Sequence, residues 1–534
     1  MSLTKLNFDV GSKNVELLIN QASQFTVGDI LRKNTRVRPE RVALVFDGRE
    51  WTFAELNQEV NKLANSLAQL GIDRGDRVAI LSENRVEYCE MFHAAAKLGI
   101  IVPAFNWRFS ERELKESILL TTPETILVSQ EHFAKLQHIL NDLPFVKRVI
   151  LLDKIKDVAL PRATSIYLYE DLIATGSPAE VNREVLAEDA FMILYTSGTT
   201  GVSKGAIISH RAMIARAMLF AVTLGVTEND ADIVWSPMYH MSAANHIIAT
   251  HTTGGKVIIL KRYDPGEIVA LLEKEPIRRL PMMPGAIESL IDELKKKGSL
   301  GIKGVKSVGA MADLVPPGQI AELTSLIGAP YLNSFGSTEG GLAPATGNFI
   351  AIGKIPTGLS KKESHICEIR LVDENDNDVP TGKPGELIMR GPTLFSGYWN
   401  DPETNEKDFR GGWFHTGDVL RRNPDGTLDY IDRRKYMIKS GGENIYPAEI
   451  ERVLMSYPGV QEAVVVRIKD QKWSEVPKAY VACEKGVTKS KLMEFCRQHL
   501  ARYKVPKYIE FVSVDNFPRS TTGKVIRAEV EKWH

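Results

Sequence analysis

The run Tyr195-Thr-Ser-Gly-Thr-Thr-Gly-Val-Ser-Lys-Gly-Ala206 carries the densest chemistry in the chain. Its small hydroxyl and glycine residues leave backbone N–H groups uncovered, a cradle suited to phosphate oxygens, with Lys204 as a point charge beside it. The spacing is not that of a Walker A loop, which needs Gly at 203 and Ser or Thr at 205; the chain has Ser203 and Gly205. Nor is Ser197 a nucleophile elbow, because Tyr rather than Gly stands at 195. On composition alone a Gly/Ser/Thr-rich surface loop satisfies the same residues. Glu339, Asp418 and Lys524, each taken singly, read as solvated surface charges. His240, His246 and His251 have no metal-site spacing, and no Cys or acid completes a set, so zinc is not expected. The strand-turn-helix Gly-x-Gly-x-x-Gly fingerprint is missing, so no redox cofactor is expected either.

Four further segments change the weight of the first. They are Tyr331-Leu-Asn-Ser-Phe-Gly-Ser-Thr-Glu-Gly340, Trp413-Phe-His-Thr-Gly-Asp418, Asp432-Arg-Arg-Lys-Tyr-Met-Ile-Lys-Ser-Gly-Gly-Glu-Asn-Ile-Tyr-Pro447 and Pro518-Arg-Ser-Thr-Thr-Gly-Lys524. In this order and spacing the five resemble the signatures of the adenylate-forming superfamily: acyl-CoA synthetases, nonribosomal peptide adenylation domains and luciferases. The likeness covers nearly the whole chain and is nearest to AMP-forming acyl-CoA synthetases. Phe335-Gly-Ser-Thr departs from the commoner Tyr-Gly-Met-Thr wording, keeping the ring and losing the phenol.

The resemblance implies two half-reactions. A carboxylate attacks the α-phosphorus of ATP, giving acyl-adenylate and pyrophosphate, and a thiol then takes the acyl group. Bringing a carboxylate to a triphosphate costs Coulomb repulsion that grows as water leaves, so cations and N–H dipoles must be fixed in advance. By resemblance Thr196 and Glu339 are Mg²⁺-side ligands, a hard-oxygen pair, and Ser197, Gly198, Thr199, Thr200, Gly201 and Lys204 hold phosphates. Thr338 touches the α-phosphate, and Phe335 with Gly309, Ala310 and Met311 lines the adenine slot. Asp418 accepts both ribose hydroxyls, as an ionised carboxylate can, with Arg433 in support. Lys524 bridges α-phosphate and substrate carboxylate. Lys435 is the hinge about which a small domain rotates, exchanging Lys524 for the loop at Lys439, Ser440, Gly441 and Gly442, whose glycines let backbone approach a pantetheine arm. Trp473 and Lys507 are assigned to CoA.

Acid selectivity falls, by resemblance to the family's substrate-wall element, to Trp235-Ser-Pro-Met-Tyr-His-Met-Ser-Ala-Ala-Asn245, with His240 in the usual His place. Tyr239, His240, Ala243, Ala244, Gly336 and Leu342 form the expected acyl pocket. No Asp stands where amino-acid-activating relatives pair an ammonium, which favours a medium- or long-chain fatty acid or an aryl acid. The expected activity is an AMP-forming acyl-CoA synthetase. The alternatives are a stand-alone ligase that loads a carrier protein and a non-catalytic nucleotide-binding relative. ATP, Mg²⁺, CoA and a small carboxylic acid are the implied substrates and cofactors.

Elements must hold these groups. Arg41–Phe46, an Asp47-Gly48 turn and Trp51 predict a hairpin; Thr52 and Glu55 predict a capping box, opening a helix whose Leu56, Val60, Leu63, Leu67 and Leu70 share a face until Gly71. A strand at 77–81, a helix at 86–98 and a strand at 100–102 follow, and the alternation to Glu339 predicts βαβ units in a mostly parallel sheet. The apolar run 217–226 predicts a core helix. After Asp373-Glu-Asn-Asp-Asn-Asp378 short strands predict a β subdomain. The tail alternates again, with helices at 448–457 and 489–502 and strands at 463–468 and 478–483. The expected fold is thus α/β, with a multi-lobed N-terminal domain over 1–431, a hinge at 432–435 and a small mobile α+β domain over 436–534.

The chain has 534 residues, 43% apolar, with 67 Lys+Arg balancing 67 Asp+Glu. That composition excludes disorder and coiled coil, and a neutral chain has no global field for nucleic acid. Cys89, Cys367, Cys483 and Cys496 form no C-x-x-C pair, which fits a reducing cytoplasm rather than a disulfide framework. The N-terminal residues lack a signal-peptide core, and no apolar run is long enough to span a bilayer. A cytoplasmic monomer or homodimer is expected.

Overall fold

The structure, a computed structural model, describes residues 13–155, 161, 164–196, 204–298, 300–440, 443–471, 473–519 and 523–533. The capping box forms as the sequence dictates: the Thr52 side chain accepts from Glu55 N, the Glu55 carboxylate accepts from Thr52 N, and the helix Phe53–Gln69 follows. The hairpin turn is made by Asp47 and Gly48, both at positive φ (49° and 75°), which suits the twist of the flanking strands Val42–Phe46 and Arg49–Thr52.

Three sheets build the large lobe. The first is seven-stranded, in the order Ser165–Leu168, Arg148–Leu151, Thr125–Val128, Val78–Leu81, Val102–Ala104, Ala190–Thr196 and Lys204–Ser209, and only the last strand is antiparallel. The second runs Ala231–Val234, Lys256–Ile259, Val42–Phe46, Arg49–Thr52. The third runs Arg279–Leu280, Ser307–Val308, Tyr331–Ser337, Gly341–Ile350, again with one antiparallel edge. Wholly buried strands such as Val78–Leu81 are continuous apolar runs because helices cover both faces. A fourth, antiparallel sheet (Glu368–Val372, Pro384–Arg390, Phe414–Arg422, Leu428–Arg433) is the expected β region. Its Leu387, Leu420 and Leu428 join the same apolar core as Val78 and Phe191.

From Ile438 on, the chain builds cores of its own. The sheet Glu443–Ile445, Ile438–Ser440, Ser474–Cys483, Val460–Asp470, with Tyr508–Phe511 alongside, has one apolar cluster on each face. Helices Pro447–Met455 and Lys489–His499 bury Ile450, Leu454, Leu492 and Cys496 in the first cluster, and Val530 closes the second.

Two expectations shift. The strand expected at 100–102 is Val102–Ala104, because Gly99 N and Ile100 N both bond to Ala95 O and cap the preceding helix. The apolar run 217–226 lies in the helix His210–Leu224 up to its left-handed cap at Gly225, but Met218 and Val222 are 55% and 63% exposed, so that helix buries a stripe rather than its whole circumference. No helix among the described residues is long and apolar enough to cross a membrane.

Candidate active site

Thr196 and Lys204 stand opposite each other in register at the ends of two antiparallel strands. The turn between them, with the expected phosphate-holding Ser197, Gly198, Thr199, Thr200 and Gly201, lies outside the described residues. The Lys204 ammonium lies 4.8 Å from the centre of the Tyr398 ring, and the Tyr398 hydroxyl donates to Glu339 Oε1 at 2.9 Å. Burial and that carboxylate push the phenol well above its ordinary range, so it stays a donor. Tyr398 was not foreseen; the only signal is an aromatic in Ser396-Gly-Tyr-Trp399, a segment that pairs with the strand Lys204–Ser209 through Ser396 N–Ile207 O and Trp399 N–Gly205 O.

Thr338 and Glu339 occupy the turn between Tyr331–Ser337 and Gly341–Ile350. Buried Arg216 holds that turn: its Nη2 donates to the carbonyls of Thr338 (3.1 Å) and Glu339 (2.7 Å), and its Nε to Thr393 O (2.8 Å). Burial lowers the guanidinium to about 9, with Glu339 opposing the shift. Gly336 is obligatory, since a Cβ there would meet Gly341 O at 2.0 Å. Phe335 is buried against the Tyr430 ring, 5.2 Å between centroids. Gly309 (φ 94°) opens the Ala310 and Met311 loop, and a Cβ there would strike the Tyr331 ring.

Asp418 and Arg433 are register partners, with Arg433 Nε 2.7 Å from Asp418 Oδ1. Burial pushes the Asp418 carboxyl up to about 6 although Arg433 and Lys524 oppose the shift, and Glu339 adds to it. Lys524, carried by the tail, feels Arg433 and Asp418 and bears on His240. Its side chain is reached by solvent, but crowding by the cleft walls and then Arg433 hold it below the usual lysine range. The tail segment is fixed by residues the sequence did not reveal. Arg527 makes a bidentate pair with Glu451 (2.7 and 2.8 Å) and a 3.3 Å contact with Asp432, which also accepts from Ala448 N.

Of the expected acyl residues, Ala243 and Ala244 lie on the helix Met241–Thr253, Tyr239 and His240 just before it, and Gly336 and Leu342 on the strands Tyr331–Ser337 and Gly341–Ile350. His240 caps the helix, its Nδ1 accepting from Ser242 N at 3.2 Å, and burial lowers the imidazole to about 4, aided by Lys524. Tyr239, Ala243 and Ala244 are buried, and Leu342 packs at the edge of the core. The three histidines diverge: His246 pairs with Asp232 (2.7 Å), while His251 Nδ1 meets His93 Nε2 at 2.9 Å. His251, His93 and Cys89 do come close enough together to share an ion, a grouping that sequence spacing could not disclose.

The CoA candidates collect on the small domain. Ser440 pairs with Ser474, next to exposed Trp473, whose N–H bonds Asp470 Oδ1 at 2.9 Å; Lys507 pairs with the same Asp470. Lys439 lies 3.7 Å from Glu374, and exposed Lys435 rests 4.5 Å over the Tyr436 ring. Gly441 and Gly442 lie outside the described residues. Lys361, in a segment given no role from sequence, is buried in an ion pair with Asp313, just past the Met311 loop.

Glu339 and Thr196 are hard oxygen donors, and the chemistry of that pair fits Mg²⁺. The family described as AMP-binding enzyme matches residues 31–399, and the AMP-binding enzyme C-terminal domain matches 449–524. A feruloyl-CoA synthase of Amycolatopsis sp. is 29% identical over 94% of this chain and 97% of its own length. A 2-succinylbenzoate–CoA ligase of Geobacillus sp. (strain WCH70) is 31% identical over 95% and 98%. The solved o-succinylbenzoate CoA synthetase of Bacillus subtilis, in complex with its acyl-adenylate intermediate, superposes with a TM-score of 0.80 at 26% identity over 95% and 98%. The chain belongs to the AMP-binding enzyme family, and with it to the adenylate-forming superfamily of AMP-forming acid–CoA ligases.

Proposed function

We propose that this chain activates an uncharged aryl acid, forming an acyl-adenylate from ATP and passing the acyl group to CoA. In the first step a carboxylate oxygen bonds to the α-phosphorus as the bond to the β-phosphate breaks and pyrophosphate leaves. In the second, the CoA sulfur attacks the acyl carbon and AMP leaves. Aryl acids are favoured over fatty acids because the relatives above carry aryl names, and because Ala243 and Ala244 are small, buried residues.

The observation that carries the reading is Lys524, a tail residue within electrostatic reach of Asp418 and Arg433 of the body. There its ammonium offsets the charge that builds as two anions meet. Thr338 sits at the α-phosphate with its carbonyl held by Arg216, and Phe335 with the 309–311 loop takes the adenine. Asp418 accepts the ribose hydroxyls, with Arg433 at its side. Thr196 and Glu339 would hold Mg²⁺, which neutralises phosphate charge when bound. The reading also takes 1–431 as a body, 432–435 as a pivot at Lys435, and 436–534 as a lobe that swings to bring the 439–442 loop, Trp473 and Lys507 to CoA.

The test is pyrophosphate release across C2 to C18 fatty acids, benzoates and cinnamates, with thioester identified by mass and a carrier protein as the rival acceptor. Lys524→Ala is expected to lose adenylate formation and keep much of the thioester step from supplied acyl-adenylate. Equal loss of both steps refutes the role of Lys524. No acid-dependent pyrophosphate release across the panel refutes the ligase reading.

A further inference from the structure

We propose that Arg279 reads an oxygen at the far end of the acid, so that the substrate is an aryl acid bearing a neutral acceptor (hydroxyl, methoxy or keto) distal to its carboxylate. This rests on the ligase reading above and narrows its substrate class.

Arg279 lies in the short strand Arg279–Leu280 and is 4% exposed. Its Nη1 donates to His246 Nε2 at 3.2 Å and its Nη2 to Gly309 O at 3.4 Å, and the guanidinium stands 5.9 Å from the Phe220 ring. His246 Nδ1 meets the buried Asp232 carboxylate at 2.7 and 2.8 Å. The proton placement follows. Nδ1–H faces Asp232 and Nε2 accepts from Arg279, so a neutral imidazole links one anion to one cation and the cluster carries no net charge. One donor is left over: Arg279 Nε is buried with no acceptor among the described residues. Guanidinium N–H groups at that depth are nearly always paired, and an oxygen from outside the chain is what would complete this one.

The surrounding elements point to the acid as its source. His246 lies on the helix that carries Ala243 and Ala244. Gly309 opens the loop assigned to the adenine. Phe220 belongs to the apolar cluster against which Leu342 packs. Each wall assigned to the acyl-adenylate is therefore one contact away from Arg279. A second carboxylate would bring negative charge beside Asp232, whereas a neutral oxygen leaves the balance intact.

The experiment compares kcat/KM for acid-dependent ATP–pyrophosphate exchange between cinnamate and its 4-hydroxy and 4-methoxy forms, and between benzoate and the same substituted forms. The wild type is expected to prefer the oxygenated acids by about tenfold or more. Arg279→Lys keeps the charge but has no Nε–H, and the preference is expected to fall to about one; Arg279→Met is the second variant. A structural role for Arg279 alone would depress all acids together and preserve the ratio. No preference in the wild type, or a ratio unchanged in Arg279→Lys, overturns the proposal. Exchange with none of these acids sinks the aryl-acid reading instead, so the two failures are distinct.

Discussion

Asp418 is buried beside Arg433, and burial still outweighs that partner, leaving the carboxyl at about 6. A group that must be ionised to accept two ribose hydroxyls is then half protonated at a pH only slightly acidic. The KM for ATP is expected to rise several-fold as pH falls from 7.5 to 5.5. Asp418→Asn should raise it tenfold or more at pH 7.5 and flatten the profile, read from initial rates of pyrophosphate release. The stability contribution has the opposite sign. A carboxyl raised in the folded state stabilises below its ordinary pKa, and that contribution is lost as pH rises through about 6. A rise in KM at pH 5.5 is thus not explained by this group unfolding the protein. Arg216 supports the same site through three backbone carbonyls. Arg216→Met should cost about 3 kcal/mol in denaturant melts, since charged donors to buried carbonyls contribute roughly 1.5–3 kcal/mol each and do not sum fully. Asp418 was legible because Thr-Gly-Asp is a motif. Arg216 was not, because one Arg among Ala, Met and Leu in a helix looks like a solvent-facing charge, and its carbonyl partners are over 120 residues away.

Elements that obey local rules were read closely from sequence: the capping box at Thr52 and the left-handed stop at Gly99 involve groups within four or five residues of each other. Long-range pairings left no such mark. Lys361 fell in a stretch without a motif, yet it pairs with Asp313 and joins the Leu428 strand by backbone bonds in both directions, tying the adenine-side loop to the β region. Removing one partner of a buried pair strands the other's charge, so Lys361→Met should destabilise by about 3–5 kcal/mol. Lys361→Met combined with Asp313→Leu should recover part of that loss, as measured by a double-mutant cycle in denaturant. Arg527 is the corresponding tie in the tail, three residues after Lys524 and locked to Glu451 and Asp432. Arg527→Met should lower the adenylation rate while largely sparing thioester formation from supplied adenylate, because the lost contacts aim Lys524 rather than the CoA loop. A uniform loss in both half-reactions would reassign Arg527 to folding alone.

At the scale of the molecule, the proposed function has two sets of groups, around Lys524 and around Lys439, taking turns at one nucleotide. Lys524 is within electrostatic reach of Asp418, while Lys439 lies against Glu374 and Glu475. The small lobe has its own apolar clusters on both faces of its sheet. It can therefore turn as a unit, breaking polar contacts rather than a shared core. The turn is expected at Lys435, an exposed residue in a single short turn between Leu428–Arg433 and Ile438–Ser440. Proline there fixes one backbone dihedral. Lys435→Pro should retain acid-dependent ATP–pyrophosphate exchange within a few-fold, because in the proposed function the arrangement with Lys524 near Asp418 is the adenylating one. It should lose thioester formation by a hundredfold or more in single-turnover assays that start from acyl-adenylate and CoA. If both rates survive, the lobe does not rotate at this point, and the 439–442 loop must reach the acyl-adenylate by some other movement.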